Sequence, residues 1–409
     1  VTPLASGGRV DVAIIGAGFA GLTAALHLAR GGARVAVLEA QSVGHAASGL
    51  NAGFVVPSFA KADPATVRAL LGEERGGRLL AMIGQGADRV FDTVREHGID
   101  CGAEQAGWMN VAHTPGMLAV LRARAEAWQQ MGRPVRLLDA GQACARTSLR
   151  HCHGALLDES GGMLDPLAYL YGLGRAAVAA GATVHEGVPV DRVERPGRQW
   201  SLACGGQRLT AGQVLLCTNA GQGGVARRLG RSVVPLRVYQ LATEPLSEDL
   251  VRQVAPLRNP VADTRANLFT YRLTADNRLI SGGMAIVPIA AHARMARTIV
   301  GRMAMELGLP FVPRVDYLWR GTAAMTMDFL PHVYELGPGF LGGIGCNGRG
   351  VALTAMLGDV LAQAAMGRPL DELPIPVAPA RGIPFHALAQ AAPSFAILQA
   401  RMQDARSLR

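Results

Sequence analysis

The sequence predicts an α/β fold, and three observations support this prediction. The four apolar residues Val12 to Ile15 are typical of a buried parallel strand. Three glycines and then a helical pattern follow this strand directly. Near residue 345, a second apolar segment is again followed by glycines and a helical pattern. Strands that alternate with helices in this way indicate a parallel sheet.

The glycines after the first strand, Gly16, Gly18 and Gly21, have GxGxxG spacing. The first glycine allows a tight turn, the second lets the backbone approach a pyrophosphate, and the third lets the helix pack closely on the strand. A helical pattern follows from Leu22 to Ala29. The N-terminus of such a helix offers free N–H groups and a partial positive charge to phosphates. This segment therefore predicts a dinucleotide-binding site.

A second strand, Arg34 to Leu38, ends at Glu39. An acidic residue roughly 20 residues after the glycines can bind ribose hydroxyls. Its presence argues against a 2′-phosphate and therefore against NADP. It does not distinguish NAD from FAD, because both carry a ribose and a pyrophosphate.

Length and composition restrict the classes of function that this chain can have. The 409 residues are enough for two domains. The net charge of +9 comes from scattered arginines without a dense basic block, which argues against a nucleic-acid partner. Neither a membrane span nor a signal peptide is recognised, so we expect a cytoplasmic protein without a transmembrane segment. The His151 to His153 stretch (His-Cys-His) has no second ligand cluster, so we expect no metal.

The remaining elements alternate along the chain. Further helices are predicted at residues 70–97, 115–130, 167–180, 298–307 and 351–366. Further strands are predicted at residues 107–112, 184–193, 200–203, 213–217, 234–244, 269–273, 278–283 and 340–344.

Two segments outside the first motif favour FAD over NAD. The loop at residues 43–57 is rich in glycine and small residues, as expected where a backbone lies against a flat or charged ligand. The glycine-rich turn Gly345 to Gly350 leads into a long helix, whose positive end can face a second anionic group. A reduced flavin ring carries such a negative charge, and an NAD enzyme has no need for a second helix of this kind.

These motifs, taken in order, resemble those of the D-amino-acid oxidase (DAO-type) family of FAD-dependent oxidoreductases. The resemblance extends from Val10 to about Gly367 and is strongest to the γ-glutamylputrescine oxidase and glycine oxidase-like branch. Each motif alone is weak, but the ordered set is specific. Besides the first glycine motif, the set comprises "ASGLNAG", "GGMLDP", "QVLLCTNAG", "YRLTADNRLISGG", "WRGTAAMTMDFLPHV" and "GCNGRGVAL".

The resemblance implies an α/β fold with a Rossmann-like FAD-binding domain of the GR2/DAO type and an inserted, β-sheet-rich α+β substrate domain. The FAD-binding domain is expected to be discontinuous and the substrate domain to consist of two segments. The expected ranges are 1–90, 150–235 and 325–380 for the FAD-binding domain, 91–149 and 236–324 for the substrate domain, and 381–409 for a C-terminal extension.

The resemblance also implies FAD as the cofactor and assigns residues to it. The first glycines should hold the pyrophosphate, Glu39 the adenosine ribose, and the backbone of Val190 the adenine. Gly348, Gly350 and Val351 should lie at the pyrimidine edge of the flavin. The expected FAD contacts are Gly16, Gly18, Phe19, Ala20, Gly21, Glu39, Ala40, His45, Ala47, Ser48, Asn51, Ala52, Gly53, Val190, Thr218, Asn219, Gly348, Arg349, Gly350 and Val351.

The sequence departs from family patterns in three places. Residues 321–328 lack the cysteine that binds flavin covalently in sarcosine oxidases. His45 precedes "AASGL", which is similar to the "HAAGL" of dimethylglycine dehydrogenases but one residue out of register. We therefore expect non-covalent FAD, with a covalent bond to His45 as the alternative. Arg349 replaces the histidine of a "GHG" turn and either clamps a substrate carboxylate or points to solvent. Tyr271 and Arg272 are further candidates for orienting the substrate, since their strand lines the substrate side in relatives.

The reaction that the resemblance implies is oxidation of the C–N bond of a primary or secondary amine or an amino acid. Hydride transfer to flavin N5 gives an imine, which water hydrolyses, and O2 is the expected acceptor, giving H2O2. No acid or base is assigned, because the amine can bind deprotonated. Lys61 lies outside the region where some oxidases place a lysine near N5, so a dehydrogenase that uses a quinone or carrier protein stays open. A tRNA wobble-base-modifying oxidoreductase and a non-catalytic flavin-binding protein stay open as well.

Overall fold

The computed structural model describes residue 4 and residues 6–221, 223–285, 290–389 and 392–407. Its strands are, in chain order, β1 Gly8–Ile15, β2 Val35–Leu38, β3 Phe54–Val55, β4 Trp108–Val111, β5 Val135–Leu138, β6 Ala155–Asp158, β7 Gly162–Met163, β8 Thr183–His185, β9 Val190–Glu194, β10 Trp200–Cys204, β11 Gln207–Leu216, β12 Val234–Pro245, β13 Val261–Asp263, β14 Thr270–Leu273, β15 Arg278–Gly283, β16 Val315–Met325, β17 His332–Gly337, β18 Phe340–Ile344 and β19 Val377–Pro379.

Helices connect and cover these strands. They are α1 Phe19–Arg30, α2 Ala47–Leu50, α3 Pro64–Gly84, α4 Gly86–Glu96, α5 Pro115–Gln129, α6 Ala140–Cys144, α7 Pro166–Ala179, α8 Arg227–Gly230, α9 Glu248–Val254, α10 Ala291–Leu307, α11 Gly350–Ala365, α12 His386–Ala389 and α13 Ala392–Ser407. A 3₁₀ turn, Gly224–Ala226, precedes α8. No helix among the described residues has the length and hydropathy that a membrane crossing requires.

The first sheet has nine strands and confirms the predicted α/β fold. Its main order is β19-β17-β18-β11-β1-β2-β8, with β10 and β9 attached beside β11. The five neighbours β18, β11, β1, β2 and β8 run parallel. Their apolar runs are buried because α1, α7 and α11 cover one face.

The second sheet has eight strands in the order β16-β12-β15-β14-β13-β4-β6-β5. Its neighbours are antiparallel except for β13 and β4. Side chains alternate between its two faces. One face packs on α10 and forms a separate core with Met109, Val111 and Tyr271. The opposite face, which carries Asn110 and Arg272, is called the site face below.

Several boundaries differ from the sequence predictions. Strand β6 lies in the range predicted for the first domain, but it pairs with β4 and β5 in the second sheet. Helix α4 starts in that range and continues into the range predicted for the second domain, and it packs on α11, which lies in a range predicted for the first domain. The segment 184–193 forms two strands because Gly187 turns the chain at a φ of +68°. The segment 70–97 is divided between α3 and α4.

Candidate cofactor and substrate site

Four segments that are far apart in sequence meet at one edge of the first sheet. Strands β18, β11, β1 and β2 are parallel neighbours, so their carboxyl ends lie side by side at what we call the carboxyl edge. Each strand is followed there by residues that the sequence predicted for the cofactor. They are Gly16–Gly21 after β1, Glu39 after β2, Thr218 and Asn219 after β11, and Gly345–Gly350 after β18.

The first glycines allow close backbone contacts that a side chain would block. A Cβ atom on Gly16, whose φ is +103°, would lie 2.6 Å from the carbonyl oxygen of Cys217. A Cβ on Gly21 would lie 2.0 Å from the carbonyl oxygen of Gly16. Gly18 is the N-cap of α1 and has no side chain to bond the free N–H groups of the first turn. The turn and the start of α1 thus present a compact set of backbone N–H groups, of which those of Ala17 and Phe19 are bonded to Glu39 and Ser48.

Glu39 lies beside this turn. One carboxylate oxygen accepts the N–H of Ala17 at 2.9 Å, and the other accepts the N–H of Gln41 at 3.1 Å. These bonds fix the carboxylate at the end of β2, next to an exposed Ala40. Each oxygen keeps a lone pair for a further donor, such as a ribose hydroxyl.

The segment 47–53 continues from α1 towards the second sheet. The hydroxyl of Ser48 accepts the N–H of Phe19 at 3.1 Å, which ties the segment to the start of α1. The amide of Asn51 donates to the carbonyl of Ser48 at 2.8 Å and accepts the N–H of Gly53 at 2.8 Å. Asn51 therefore holds the loop in a fixed shape. His45 lies just before this segment and is exposed.

The other end of this segment rests on the site face. The indole N–H of Trp319 donates to the carbonyl of Leu50 at 2.9 Å. Ala52 packs against Ala242 and Ile280. The segment 47–53 thus joins the carboxyl edge of the first sheet to the site face of the second.

The turn before α11 is anchored on one side and open on the other. The buried side-chain oxygen of Asn347 accepts the N–H of Thr326 at 2.8 Å. A Cβ atom on Gly348 or Gly350 would meet no atom within 4 Å. Val351 is buried in the first core. The backbone at Gly348 and Gly350 thus borders free space, where the positive end of α11 can bind an anionic group.

The turn after β11 supplies a test of whether a polar ligand fits here. Asn219 has a φ of +50°, and its amide donates to the carbonyl of Thr322 at 3.0 Å. The hydroxyl of Thr218 is buried and has no hydrogen-bond partner among the residues that the structure describes. A buried hydroxyl without a partner is costly, so this atom fits a site that a polar cofactor completes. Val190 begins β9, and its carbonyl lies against Gly224.

The structure corrects the expectation that Tyr271 orients the substrate. Its side chain lies on the α10 side of the second sheet, opposite to the site face. Its hydroxyl is bonded to the hydroxyl of Thr147 at 2.6 Å and donates to the carbonyl of Val254 at 2.8 Å. Burial raises the pKa of Tyr271, as expected for a core residue. We therefore assign Tyr271 to the core.

Arg272 does lie on the site face, but its guanidinium is bonded to backbone carbonyl groups of the protein. It donates to the carbonyl of Ala52 and, at 3.1 Å, to the carbonyl of Leu273. Burial lowers the pKa of Arg272 to about 10. The geometry favours a role in holding the 47–53 segment against the second sheet.

Arg349 is directed towards the protein and not towards solvent. Its guanidinium lies over the ring of Trp108, 4.9 Å from the ring centroid. Burial, together with repulsion from Arg124, lowers the pKa of Arg349 to about 10. Sequence reasoning missed Trp108 and Arg124, because no local motif links either residue to the turn before α11.

Comparisons with known proteins identify the family of the chain. The family model "DAO: FAD dependent oxidoreductase" matches residues 11–364. γ-Glutamylputrescine oxidoreductase of Escherichia coli is 32% identical over 359 residues, which cover 87% of this chain and 84% of that protein. Glycine oxidase of Geobacillus kaustophilus is 25% identical over 336 residues, which cover 80% of this chain and 84% of that protein.

Solved structures show the same fold. The crystal structure of glycine oxidase from Geobacillus kaustophilus superposes with a TM-score of 0.72 at 21% identity and covers 88% of this chain and 96% of that chain. The crystal structure of L-proline dehydrogenase from P. horikoshii gives a TM-score of 0.75 at 17% identity, with coverage of 91% and 96%.

Proposed function

Because the chain belongs to the DAO family of FAD-dependent oxidoreductases, we propose that it oxidises the C–N bond of a primary or secondary amine or an amino acid to an imine. Two relatives are named after γ-glutamylputrescine and glycine, and both compounds contain such a bond. The observation that carries the proposal is the meeting of four segments at the carboxyl edge, next to the site face. A cofactor and a small substrate can be enclosed together between these two surfaces.

The residues at the carboxyl edge fit FAD in an extended arrangement. The start of α1 would hold the pyrophosphate, and Glu39 the adenosine ribose. The backbone near Val190 would lie at the adenine, on one side of these groups. The segment 47–53 and the turn before α11 would lie at the flavin, on the other side. We propose that the bond between protein and FAD is non-covalent, with attachment through His45 as the alternative.

FAD supplies the hydride acceptor that side chains lack. The chain itself orients the amine and excludes water, since the site lies between two packed sheets. The first turn of α11 would direct its positive end at the pyrimidine edge of the flavin and stabilise negative charge there. We assign no side chain as an acid or base, because an amine that enters deprotonated needs none. Water then hydrolyses the imine.

The test is anaerobic mixing of the purified holoenzyme with a panel of primary amines, secondary amines and amino acids. We expect the yellow flavin colour to bleach with at least one class. Gly18→Val is the control, because a side chain at this position would crowd Ser48 and the pyrophosphate, and the variant should lose FAD. A holoenzyme that no amine or amino acid bleaches would contradict the proposal. A colourless protein that binds NAD instead would overturn the cofactor assignment.

We further propose that O2 reoxidises the flavin and that H2O2 is formed. An oxygen electrode should record consumption of O2 that matches the amine oxidised. Turnover that needs an artificial quinone and leaves O2 unchanged would instead identify a dehydrogenase.

A further inference from the structure

Two arginines lie side by side on the site face. Trp108 and Asn110 are two residues apart in β4, so their side chains share one face. Arg349 lies over the Trp108 ring, and Arg124 of α5 donates to the side-chain oxygen of Asn110 at 3.4 Å. Positions two residues apart in a strand are separated by roughly 7 Å. We call Arg124 and Arg349 the arginine pair.

Three hydrogen-bond donors within and beside the arginine pair have no acceptor among the described residues. The Nε atoms of Arg124 and Arg349 and the indole nitrogen of Trp108 are buried, and none has a hydrogen-bond partner within the described part of the chain. Trp108 is only 3% exposed. Three buried donors in one place are costly unless an acceptor completes them. Their clustering therefore points to a ligand that brings oxygen atoms.

The local charge balance points to an anion. Neither arginine forms an ion pair with a carboxylate among the described residues. The charge of Asp63 acts on Arg124, but the carboxylate of Asp63 caps α3 by accepting the N–H of Thr66 at 2.7 Å. Burial lowers the pKa of Arg124, and burial together with the charge of Arg124 lowers the pKa of Arg349. Two neighbouring cations of this kind are stable when negative charge lies between or beside them.

We propose that the arginine pair binds two carboxylates of one substrate, so that the preferred substrates are amines that carry two carboxylates. This inference rests on the proposed function, because it takes the ligand to be the amine that is oxidised. Arg349 directly precedes α11, whose first turn is proposed to face the flavin, so it would hold the carboxylate nearer the reacting C–N bond. Arg124 would hold the second carboxylate further along β4. Each guanidinium offers a planar fork of donors that matches a carboxylate.

The first experiment measures binding to the holoenzyme without turnover. Glutarate carries two carboxylates, and valerate has the same number of carbons but only one. We expect glutarate to bind at least tenfold more tightly than valerate, measured by calorimetry and by the change in flavin absorption. Equal affinities would overturn the proposal, and this comparison requires no variant.

Variants assign the second carboxylate to Arg124. Arg124→Met should weaken glutarate at least tenfold and leave valerate nearly unchanged. Arg349→Met should weaken both ligands. Arg122→Met is the matched control, because Arg122 lies on the same helix but is exposed, and it should change neither. FAD content and thermal unfolding verify that each variant is folded. If Arg124→Met does not fold, Arg124→Lys, which keeps the charge, is measured in its place. An Arg124 variant that folds and binds glutarate normally would contradict the proposal.

A third measurement separates this inference from the proposed function. Glutarate should compete with a dicarboxylic amine, such as glutamate or N-(carboxymethyl)glycine, in anaerobic flavin bleaching. Bleaching by neutral amines alone, without selectivity for glutarate, would support the proposed function and overturn the inference. Selective glutarate binding without bleaching by any amine, or without competition, would overturn the assignment of the carboxylates to an amine substrate.

Discussion

Single atoms decide whether the dinucleotide turn can form, and Gly21 is the clearest case. The Cβ atom of an alanine here would lie 2.0 Å from the carbonyl oxygen of Gly16, and backbone cannot move aside as a flexible side chain can. We predict that Gly21→Ala lowers the free energy of unfolding by about 1–3 kcal/mol, the usual range for overpacking, and reduces bound FAD. Urea unfolding and released flavin measure both effects. Gly77→Ala, in an uncrowded position of α3, should lower neither the free energy of unfolding nor the bound FAD; equal losses in the two variants would refute this explanation.

Glu39 gives a second prediction about a single residue. Both of its oxygens accept backbone N–H groups, so an amide in its place would direct an NH2 group at a donor. We predict that Glu39→Gln weakens FAD binding by about 10- to 100-fold, which corresponds to the loss of one charge-assisted hydrogen bond of about 1.5–3 kcal/mol. Flavin fluorescence during dilution measures the dissociation constant. Glu194→Gln, an exposed carboxylate paired with Arg192, is the control and should bind FAD normally.

Residues were predictable from sequence where one local motif defines their role. Gly16, Gly18, Gly21 and Glu39 belong to a single strand–turn–helix–strand unit, so their positions at the carboxyl edge followed from spacing. Arg124 was not predictable, because its place beside Arg349 depends on how α5 packs on β5 and β6. Strand alternation could have separated Tyr271 from Arg272, but it does not tell which face of the second sheet lies towards the segment 47–53.

At the scale of secondary-structure elements, a hydrogen-bonded pair at the junction of β1 and β2 makes the stability of the fold depend on pH. Asp11 in β1 accepts the N–H of Arg34 at 2.9 Å and its Nη2 group at 2.7 Å. The side-chain hydrogen bond from Arg34 is the main cause that lowers the pKa of Asp11 to about 2. The pKa is lower in the folded chain, so this pair stabilises the fold above about pH 4, the ordinary pKa of an aspartate. The contribution is lost as the pH falls towards about 2.

We therefore predict that Asp11→Asn is less stable than the natural protein above about pH 4 and that the difference shrinks between about pH 4 and pH 2. Urea unfolding over this pH range measures it. Asp92→Asn, which removes an exposed carboxylate within one helix, is the charge-matched control. A difference that stays constant down to pH 2 would mean that ionisation of Asp11 is not involved.

The boundaries of the strands show what a local sequence pattern can predict and what it cannot. Segment 184–193 has an apolar character that predicts one strand, yet β8 pairs with β2 and β9 pairs with β10. The break at Gly187 is fixed by hydrogen bonds from Gly187 and Val188 to the carbonyls of Gln41 and Glu39. Such bonds join residues far apart in sequence, so a local pattern does not contain them. By contrast, β18 coincides with its prediction, because five apolar or small residues precede an unambiguous turn.

At the scale of the whole molecule, FAD should act as a structural ligand as well as a cofactor. It would contact segments after four strands of the first sheet, so its binding would favour the folded chain over the unfolded one. We predict that FAD at a concentration 100 times its dissociation constant stabilises the apoprotein by about 2.7 kcal/mol, seen as a higher melting temperature. NAD at the same concentration should have no effect. A melting temperature that FAD does not change would contradict the proposed contacts.

The parallel pairing of β18 with β11 brings together segments that are synthesised at different times. The N-terminal turn and Glu39 leave the ribosome early, but β18 and the first turn of α11 come from residues 340–350, late in the chain. A nascent chain that has not yet reached residue 350 would therefore carry the phosphate-binding turn but lack one of the four segments proposed to contact FAD. Binding of the cofactor by all four segments would require synthesis beyond that residue.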